Sequence, residues 1–390
     1  MLDKNQPVNG PLTGVLVADF SRVLAGPYAT MMLGDLGATV IKVESPLGDD
    51  TRAWKPPSLN DQATYYLSVN RNKKSVQLDL KDSSDRLRAH RLAKAADVLV
   101  ENFMPGSLKR YGLDYETVAR DNPSIVYGTI TGFGDGKGST LPGYDLVAQA
   151  VSGLMSITGP KDGLPYKSGV AIVDVVTGLH LAVAVLAALD LRSRTGVGQH
   201  VSVNLLGAAL AAMVNQSSSY LATGVSPTRM GNAHPSLFPY EPLKTMDGYL
   251  VVAVGNDSQF GRLCDAINAS ALATDERFRT NQQRVLNRET LKPLIEERLA
   301  SDSASNWSKI LTNFKVPCGP INSIGEGVAL ADAFGLDPVV QLIDSNGITT
   351  PSISNPMSFS KTPPTYRNAP PQQDEHGDQI RSWLDSLNEG

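Results

Sequence analysis

One acid sits where acids are seldom found. The stretch Gly169-Val-Ala-Ile-Val-Asp-Val-Val-Thr-Gly-Leu-His-Leu-Ala-Val-Ala-Val-Leu-Ala-Ala-Leu189 carries a single carboxylate, Asp174, inside an otherwise apolar run. Such a group is disfavoured unless it is paired, hydrogen-bonded or used. Three roles fit it: a helix cap, a structural hydrogen-bond acceptor, or a catalytic group.

The other residue types that carry chemistry form no competing pattern. His90, His180, His200, His234 and His376 never fall at H-x-x-x-H spacing, and no G-x-S-x-G occurs, so zinc-hydrolase and serine-hydrolase readings lack their usual basis. No metal site is expected. Gly132-Phe-Gly-Asp-Gly-Lys-Gly-Ser139 matches neither the dinucleotide fingerprint nor the P-loop and reads as a flexible loop. Thr195-Gly-Val-Gly198 lies between a helix and a strand, the reverse of the dinucleotide order, and reads as a turn.

The elements that must position Asp174 follow from periodicity. A strand over 14–20, a helix from Gly26-Pro27 to about Leu36 and a strand over 39–44 make a βαβ unit. The alternation continues with strands over 75–80, 97–103 and 124–130 and helices over 84–95 and 115–120, which predicts a parallel sheet covered on both faces. A long apolar helix is expected from Asp174 to about Arg194, closed by Gly196 with two arginines in its last turn. A strand over 199–203 and a small-residue helix over 205–222 follow. After Gly224, Pro227, Pro235, Pro239 and Pro242 punctuate a loop. A smaller α/β unit then begins at 248–254, with helices over 259–267 and 291–299. Prolines return over 351–371, before a short helix over 377–387.

A chain of 390 residues exceeds what one core usually organises, so two domains are expected. Hydrophobic residues make up 41%, charged residues 19%, and the formal net charge is −4. That balance gives no footprint for nucleic acid or an anionic membrane. Two cysteines, Cys264 and Cys318, are too few for a disulfide scaffold and fit a reducing, cytoplasmic setting. The first ten residues lack a basic-then-apolar secretion signal, and the longest strictly apolar run, 181–189, is about half a membrane span. No transmembrane helix is expected.

Six separated segments resemble one family. They are Val17-Ala-Asp-Phe-Ser-Arg-Val-Leu-Ala-Gly-Pro27, Leu33-Gly-Asp-Leu-Gly-Ala-Thr-Val-Ile-Lys-Val-Glu44, Asn70-Arg-Asn-Lys-Lys-Ser75, Ala96-Asp-Val-Leu-Val-Glu-Asn-Phe103, Val173-Asp-Val-Val-Thr-Gly178 and Pro317-Cys-Gly-Pro320. In this order over nearly the whole chain, they are similar to the class III CoA-transferases, the family of formyl-CoA:oxalate and carnitine CoA-transferases. The resemblance implies an α/β fold with a Rossmann-like large domain built from both termini and a smaller central α/β domain, in an interlocked ring homodimer. The corresponding division is 1–222, 223–335 and a segment 336–390 returning to the large domain.

The same resemblance makes Asp174 the nucleophile that takes an acyl group and then CoA. Thioesters are weakly stabilised acyl donors, so a carboxylate held close and partly stripped of water is competent against them. No permanently bound cofactor is implied; CoA and acyl-CoA are substrates, with a carboxylic acid as the other. Arg22, Val23, Leu24 and Ala25 match a loop lying against CoA, and Asn102, Phe103 and Arg110 match CoA contacts. Arg71, Lys73 and Lys74 form a basic cluster suited to its phosphates. Some relatives carry Gln at the position of Leu24, which weakens a formyl or oxalate reading. Gly231 and His234, in Arg229-Met-Gly-Asn-Ala-His-Pro235, occupy the place of a mobile loop over the intermediate.

Racemases of 2-methylacyl-CoA share the fold and the Asp, opposite a histidine in Gly-His-Asp. Here the text is Gly143-Tyr-Asp145, and Tyr144, with an ordinary pKa near 10, is a poor substitute for that histidine. CoA transfer is the stronger reading. A dicarboxylate acceptor with succinyl-CoA as donor fits Arg22, which could meet a distal carboxylate. The alternatives are the racemase and a non-catalytic acyl-CoA-binding protein.

Overall fold

Short runs of Val, Ile and Leu alternate with amphipathic stretches over the first two hundred residues, and most of these runs become strands. The computed structural model describes residues 10–387. Its contacts separate two units, one made of the chain up to Leu154, Ser168–Val225 and everything from Leu336 onward, the other of Met155–Lys167 and Ser226–Gly335. The expected division assigns 155–167 to the large unit. They cluster instead with the smaller one, where Gly231 N donates to Gly159 O at 3.1 Å and the Arg229 guanidinium to the carbonyls of Pro160 and Gly163.

In chain order the larger unit opens with β1 (Leu16–Asp19), α1 (Ala25–Asp35) and β2 (Thr39–Glu44). A small hairpin of β3 (Ser58–Leu59) and β4 (Gln62–Ala63), α2 (Thr64–Ser68) and β5 (Lys73–Gln77) follow, then α3 (Ser83–Ala95), β6 (Val98–Glu101), α4 (Tyr115–Asp121) and β7 (Val126–Thr131). Next come α5 (Asp145–Val151), α6 (Leu154–Ile157), which from Met155 on belongs to the smaller unit, the 24-residue α7 (Ile172–Thr195) and β8 (Gln199–Asn204). The six main strands form one parallel sheet in the order β5-β2-β1-β6-β7-β8. β1, β6 and β7 are buried throughout, because helices cover both faces. On one face Val17, Val98, Val100 and Val126 pack with Ala25 and Leu33 of α1 and Leu181 and Val185 of α7. On the other, Ala18, Ile41 and Leu99 meet Leu92 of α3 and Ile380 and Leu384 of the last helix.

The strand order reverses direction at β1. From there the chain runs outward through β2 to β5, then crosses back to β6, β7 and β8. Open α/β sheets offer a crevice beyond the carboxyl ends of the strands at such a reversal, here between β1 and β6.

α7 is long and apolar enough by composition to cross a bilayer, with a mean hydropathy of 2.2 over 18 residues. Half of that window is buried, against α1, β7, β8 and other neighbours. The single helix expected over 205–222 is two, α8 (Leu205–Ala212) and α9 (Val214–Thr223), broken where Val214 takes φ +34°.

The smaller unit holds an antiparallel sheet of β9 (Tyr240–Lys244), β10 (Tyr249–Ala253) and the short edge strand over Cys318–Pro320. Phe238, Leu250, Phe260 and Leu291 are among its core residues. The returning C-terminal segment belongs to the larger unit. It is tied there by Asn72 N to Asn368 O (2.9 Å), Thr365 N to Asp35 O (2.8 Å) and the helix Gly377–Ser386.

Charges lie beneath the crevice. Lys73 of β5 reaches Asp19, the last residue of β1, at 3.0 Å, and Lys42 of β2 reaches Asp49 at 2.8 Å, all four side chains at most 1% exposed. Burial pushes the Asp19 carboxyl up, but Lys73, Lys42 and the hydroxyls of Ser21 and Thr30 outweigh it and hold it below its ordinary value. Removing one partner strands a buried charge, so Lys73→Ala is expected to cost about 3–5 kcal/mol of stability. A urea titration followed by circular dichroism checks this, and an unchanged midpoint contradicts it.

Candidate active site

The crevice is a cleft of about 260 Å³. Its walls are the turn after β1 (Arg22 to Ala25), the turn after β6 (Asn102 to Pro105), segments of 130–144, Asp174 and Leu205. The first turn is held in an unusual backbone. Val23 sits at φ +71°, a region that β-branched residues avoid. Its N–H points to the Asp49 carboxylate at 3.3 Å, Lys42 donates to Ser21 O at 3.0 Å, and Asn102 brackets Arg22 by accepting from its N–H (3.0 Å) and donating to its carbonyl (2.7 Å). The buried ion network below thus shapes the cleft rim.

Asp174 lies in the first turn of α7 and is 9% exposed. It is not the cap. The helix begins at Ile172 after Ala171, which makes no side-chain capping bond. The donors there go to Asp145 of α5, whose Oδ1 accepts from Val173 N at 2.8 Å and Asp174 N at 3.2 Å. The helix-cap role read for Asp174 from the sequence is therefore corrected. Burial, and then the neighbouring Asp145 charge, push its carboxyl up to about 7. No described residue donates a hydrogen bond that would offset this. Four residues further on, Gly178 lets α7 rest on α1, since a Cβ there would stand 2.6 Å from Ala25 O.

The remaining expected site residues divide into three groups. Arg22, Val23, Leu24, Ala25, Asn102, Phe103 and Tyr144 all line the cleft with Asp174. Arg22 is half exposed, pairs with Asp50 at 3.0 Å and lies 5.9 Å from the Phe103 ring centre. Arg110 lines a neighbouring hollow with Phe103, Ser107 and Tyr111, its guanidinium 4.7 Å from the Tyr111 ring centre. Arg71 and Lys73 do not form a phosphate cluster. Arg71 is buried against Asp35 at 2.6 Å and also bonds Ser352 and Ile353, while Lys73 spends its three donors on Asp19, Pro27 O and Asn70. A buried cation already saturated with acceptors has nothing left for a phosphate. Lys74 is half-buried, with burial and the nearby Arg367 lowering its pKa.

Gly231 and His234 belong to the smaller unit. Gly231 holds φ +63°, which suits glycine. His234 accepts from Ser236 N at 3.0 Å and meets the Tyr240 ring edge-on at 5.1 Å. Burial, with Arg288 second, lowers its pKa.

Local patterns did not single out several residues that matter here. The glycine loop over 132–139, read as merely flexible, supplies Gly132, Phe133, Gly134, Gly138 and Ser139 to the cleft wall. Tyr65 of α2 stands near enough for the Asp174 and Asp145 charges to act on it; burial and those charges push its phenol up to about 12, so it stays a neutral donor. Glu101 ends β6 and accepts from Phe103 N at 2.8 Å, fixing the second turn; burial pushes its carboxyl up to about 7. Among the described residues no three His, Cys, Asp or Glu side chains gather as a metal site.

The cleft thus lies where an open parallel sheet reverses, with a poorly solvated carboxylate in its wall. The family model of CoA-transferase family III matches residues 12–377, and the chain belongs to that family. It is 43% identical to the succinate–glutarate CoA-transferase of Agrobacterium fabrum, over 97% of this chain and 96% of that protein. With the succinyl-CoA:glutarate CoA-transferase of Mus musculus it shares 42%, over 97% and 88%. A crystal structure of a CAIB/BAIF family protein from Brucella suis superposes with a TM-score of 0.85 at 42% identity, covering 97% of this chain and all of that one. The protein is a CoA-transferase, moving CoA from an acyl-CoA thioester to a carboxylic acid.

The raised carboxyl has a consequence for stability. Its folded value of about 7 exceeds the ordinary 3.8, so the fold binds this proton more tightly than the unfolded chain does. The stability gained is complete below 3.8 and lost as pH rises through about 7, above which the fold carries an ionised buried acid. Asp174→Asn is therefore expected to melt at a higher temperature than the wild type at pH 8, the gap closing towards pH 4. Equal melting temperatures at pH 8 contradict this.

Proposed function

We propose that Asp174 carries the transfer, and that the observation supporting it most is its carboxylate: buried, without a described hydrogen-bond donor, and open to the cleft where the sheet reverses. The carboxylate attacks the donor thioester carbonyl, the C–S bond breaks, and CoA leaves as thiolate beside a mixed anhydride. The thiolate then attacks the aspartyl carbonyl, expelling the donor acid and leaving an aspartyl-CoA thioester. The acceptor carboxylate attacks that carbonyl and releases the thiolate again. Attack of the thiolate on the acceptor carbonyl of this second anhydride gives acceptor-CoA and restores Asp174. Thioester energy is nearly conserved at each stage, and proximity with partial desolvation supplies the acceleration.

CoA is proposed to lie along the turns after β1 and β6, with Phe103 and Arg110 towards the nucleotide; no resident cofactor or metal takes part. Arg22, half exposed at the rim, suits a distal carboxylate. Relatives named for succinyl-CoA and glutarate support a short dicarboxylate pair. The loop around Gly231 and His234 is proposed to cover the intermediate. An interlocked homodimer would bury apolar side chains this chain leaves exposed on α7, α9 and the antiparallel pair of strands Val339–Ile343 and Thr349–Ile353, among them Val183, Leu221 and Ile353. The cytoplasm is the proposed location, since Cys264 and Cys318 are unpaired; fractionation of producing cells tests it.

Incubation with succinyl-CoA alone is expected to leave CoA on the Asp174 peptide, with none on Asp174→Ala; native mass spectrometry of the same sample reads the dimer. Since ionised carboxylate is required, adduct formation should rise with pH through about 7 and then level. Exchange of the 2-proton in deuterated water without acyl exchange would instead establish racemase chemistry. Arg22→Gln is expected to raise KM for a dicarboxylate acceptor about tenfold or more while leaving a monocarboxylate nearly unaffected; equal effects on both would remove Arg22 from acceptor recognition.

A further inference from the structure

A helix start leaves backbone N–H groups unsatisfied, and an acid in the first turn normally gathers them. In α7 that acid is Asp174, yet another carboxylate holds two of those donors. Asp145 Oδ1 lies 2.8 Å from Val173 N and 3.2 Å from Asp174 N. Its second oxygen is engaged too, 2.6 Å from Gln149 Nε2. Gln149 is 1% exposed and accepts from Ser168 N at 2.8 Å, so the clamp is anchored to the segment that leads into α7. Asp145 has no rotamer freedom left that keeps these bonds.

We propose that Asp145 is a positioning residue for the nucleophile: by capping α7 from a neighbouring helix, it withholds the helix-start donors from Asp174 and leaves that carboxylate under-bonded and aimed into the cleft. This rests on the nucleophile reading above. An under-bonded carboxylate is the better nucleophile, because charge not spent on donors is available to the thioester carbon. The groups facing Asp174 fit a single electrostatic control. α5 supplies the Asp145 charge, α2 the neutral Tyr65 phenol, and α1 Tyr28 against Gly178. α8 carries no titratable residue, and β7 and β8 turn Tyr127 and His200 towards Tyr115 of α4. On α7 itself His180 is exposed and bonded to Val176 O.

Two substitutions separate capping from charge. Asp145→Asn keeps an acceptor oxygen for the amides and removes the charge; Asp145→Ala removes both. The readout is the CoA adduct on the Asp174 peptide, formed from succinyl-CoA alone between pH 5 and 9. For Asp145→Asn the acidic limb is expected to move down by about one pH unit, with a plateau within about threefold of wild type. For Asp145→Ala the freed amides turn to Asp174, so the plateau should fall about tenfold or more while KM for the donor changes little. An Ala variant whose plateau stays at the wild-type level, with the adduct still on Asp174, overturns this inference and leaves the nucleophile standing. Absence of any wild-type adduct overturns both. Asp145→Leu, nearly isosteric and without an acceptor for the amides, carries the test should the Ala variant fail to fold.

Discussion

Keeping a carboxylate out of water without giving it donors is the constraint around which the larger unit is arranged. Left alone, a helix start would supply Asp174 with amide protons, and the side chain would turn towards them. Three contacts prevent that. Asp145 occupies the amides, Gly178 allows α7 to lie directly on α1, and Leu181 and Val185 bind the next turns into the core. The helix axis and its first turn are thereby held independently of the acid they present. The cost of an ionised acid there is carried by the fold as a whole, as expected where stability yields to function.

Acids along this edge of the sheet have opposite fates, and their immediate partners decide which. Asp19 and Asp49 are at least as buried as Asp174, yet lysines from adjacent strands hold both below the ordinary carboxylate range, against the upward push of burial. Glu44 is treated likewise by Arg52 and Lys42. Among the described residues no cation acts on Asp174 or Glu101, and both are pushed up to about 7. The paired acids do mechanical work: they fix the turn at Val23, which the local chain would not adopt unaided. Below the rim and at the cleft the same side-chain type thus stands with and without a counter-charge.

Much of this was legible in the residues themselves. Alternating β-branched runs and amphipathic stretches specify parallel strands and covering helices because their periods differ, and β2 was placed residue for residue. An isolated acid in an apolar helix was conspicuous for the same reason, since solvation cost is local. The breaks in expectation are as specific. Arg71 and Lys73 look like a basic surface cluster when read along the chain, but Lys73 lies on a strand buried between helices, beside Asp19, and Arg71 just before it is buried against Asp35.

The sequence by itself determined the kind of fold, the isolation of one acid in an apolar run and the turns between strands and helices, since period, composition and local motifs act over a few residues. Only the tertiary structure decided which charges would neutralise one another. It also brought the glycine loop over 132–139 to the cleft and set Asp145, 29 positions before Asp174, at the start of α7. Those outcomes depend on burial and on distances between segments remote in the chain. Electrostatic energy follows separation and solvent access, and neither is written in the spacing of residues along the backbone.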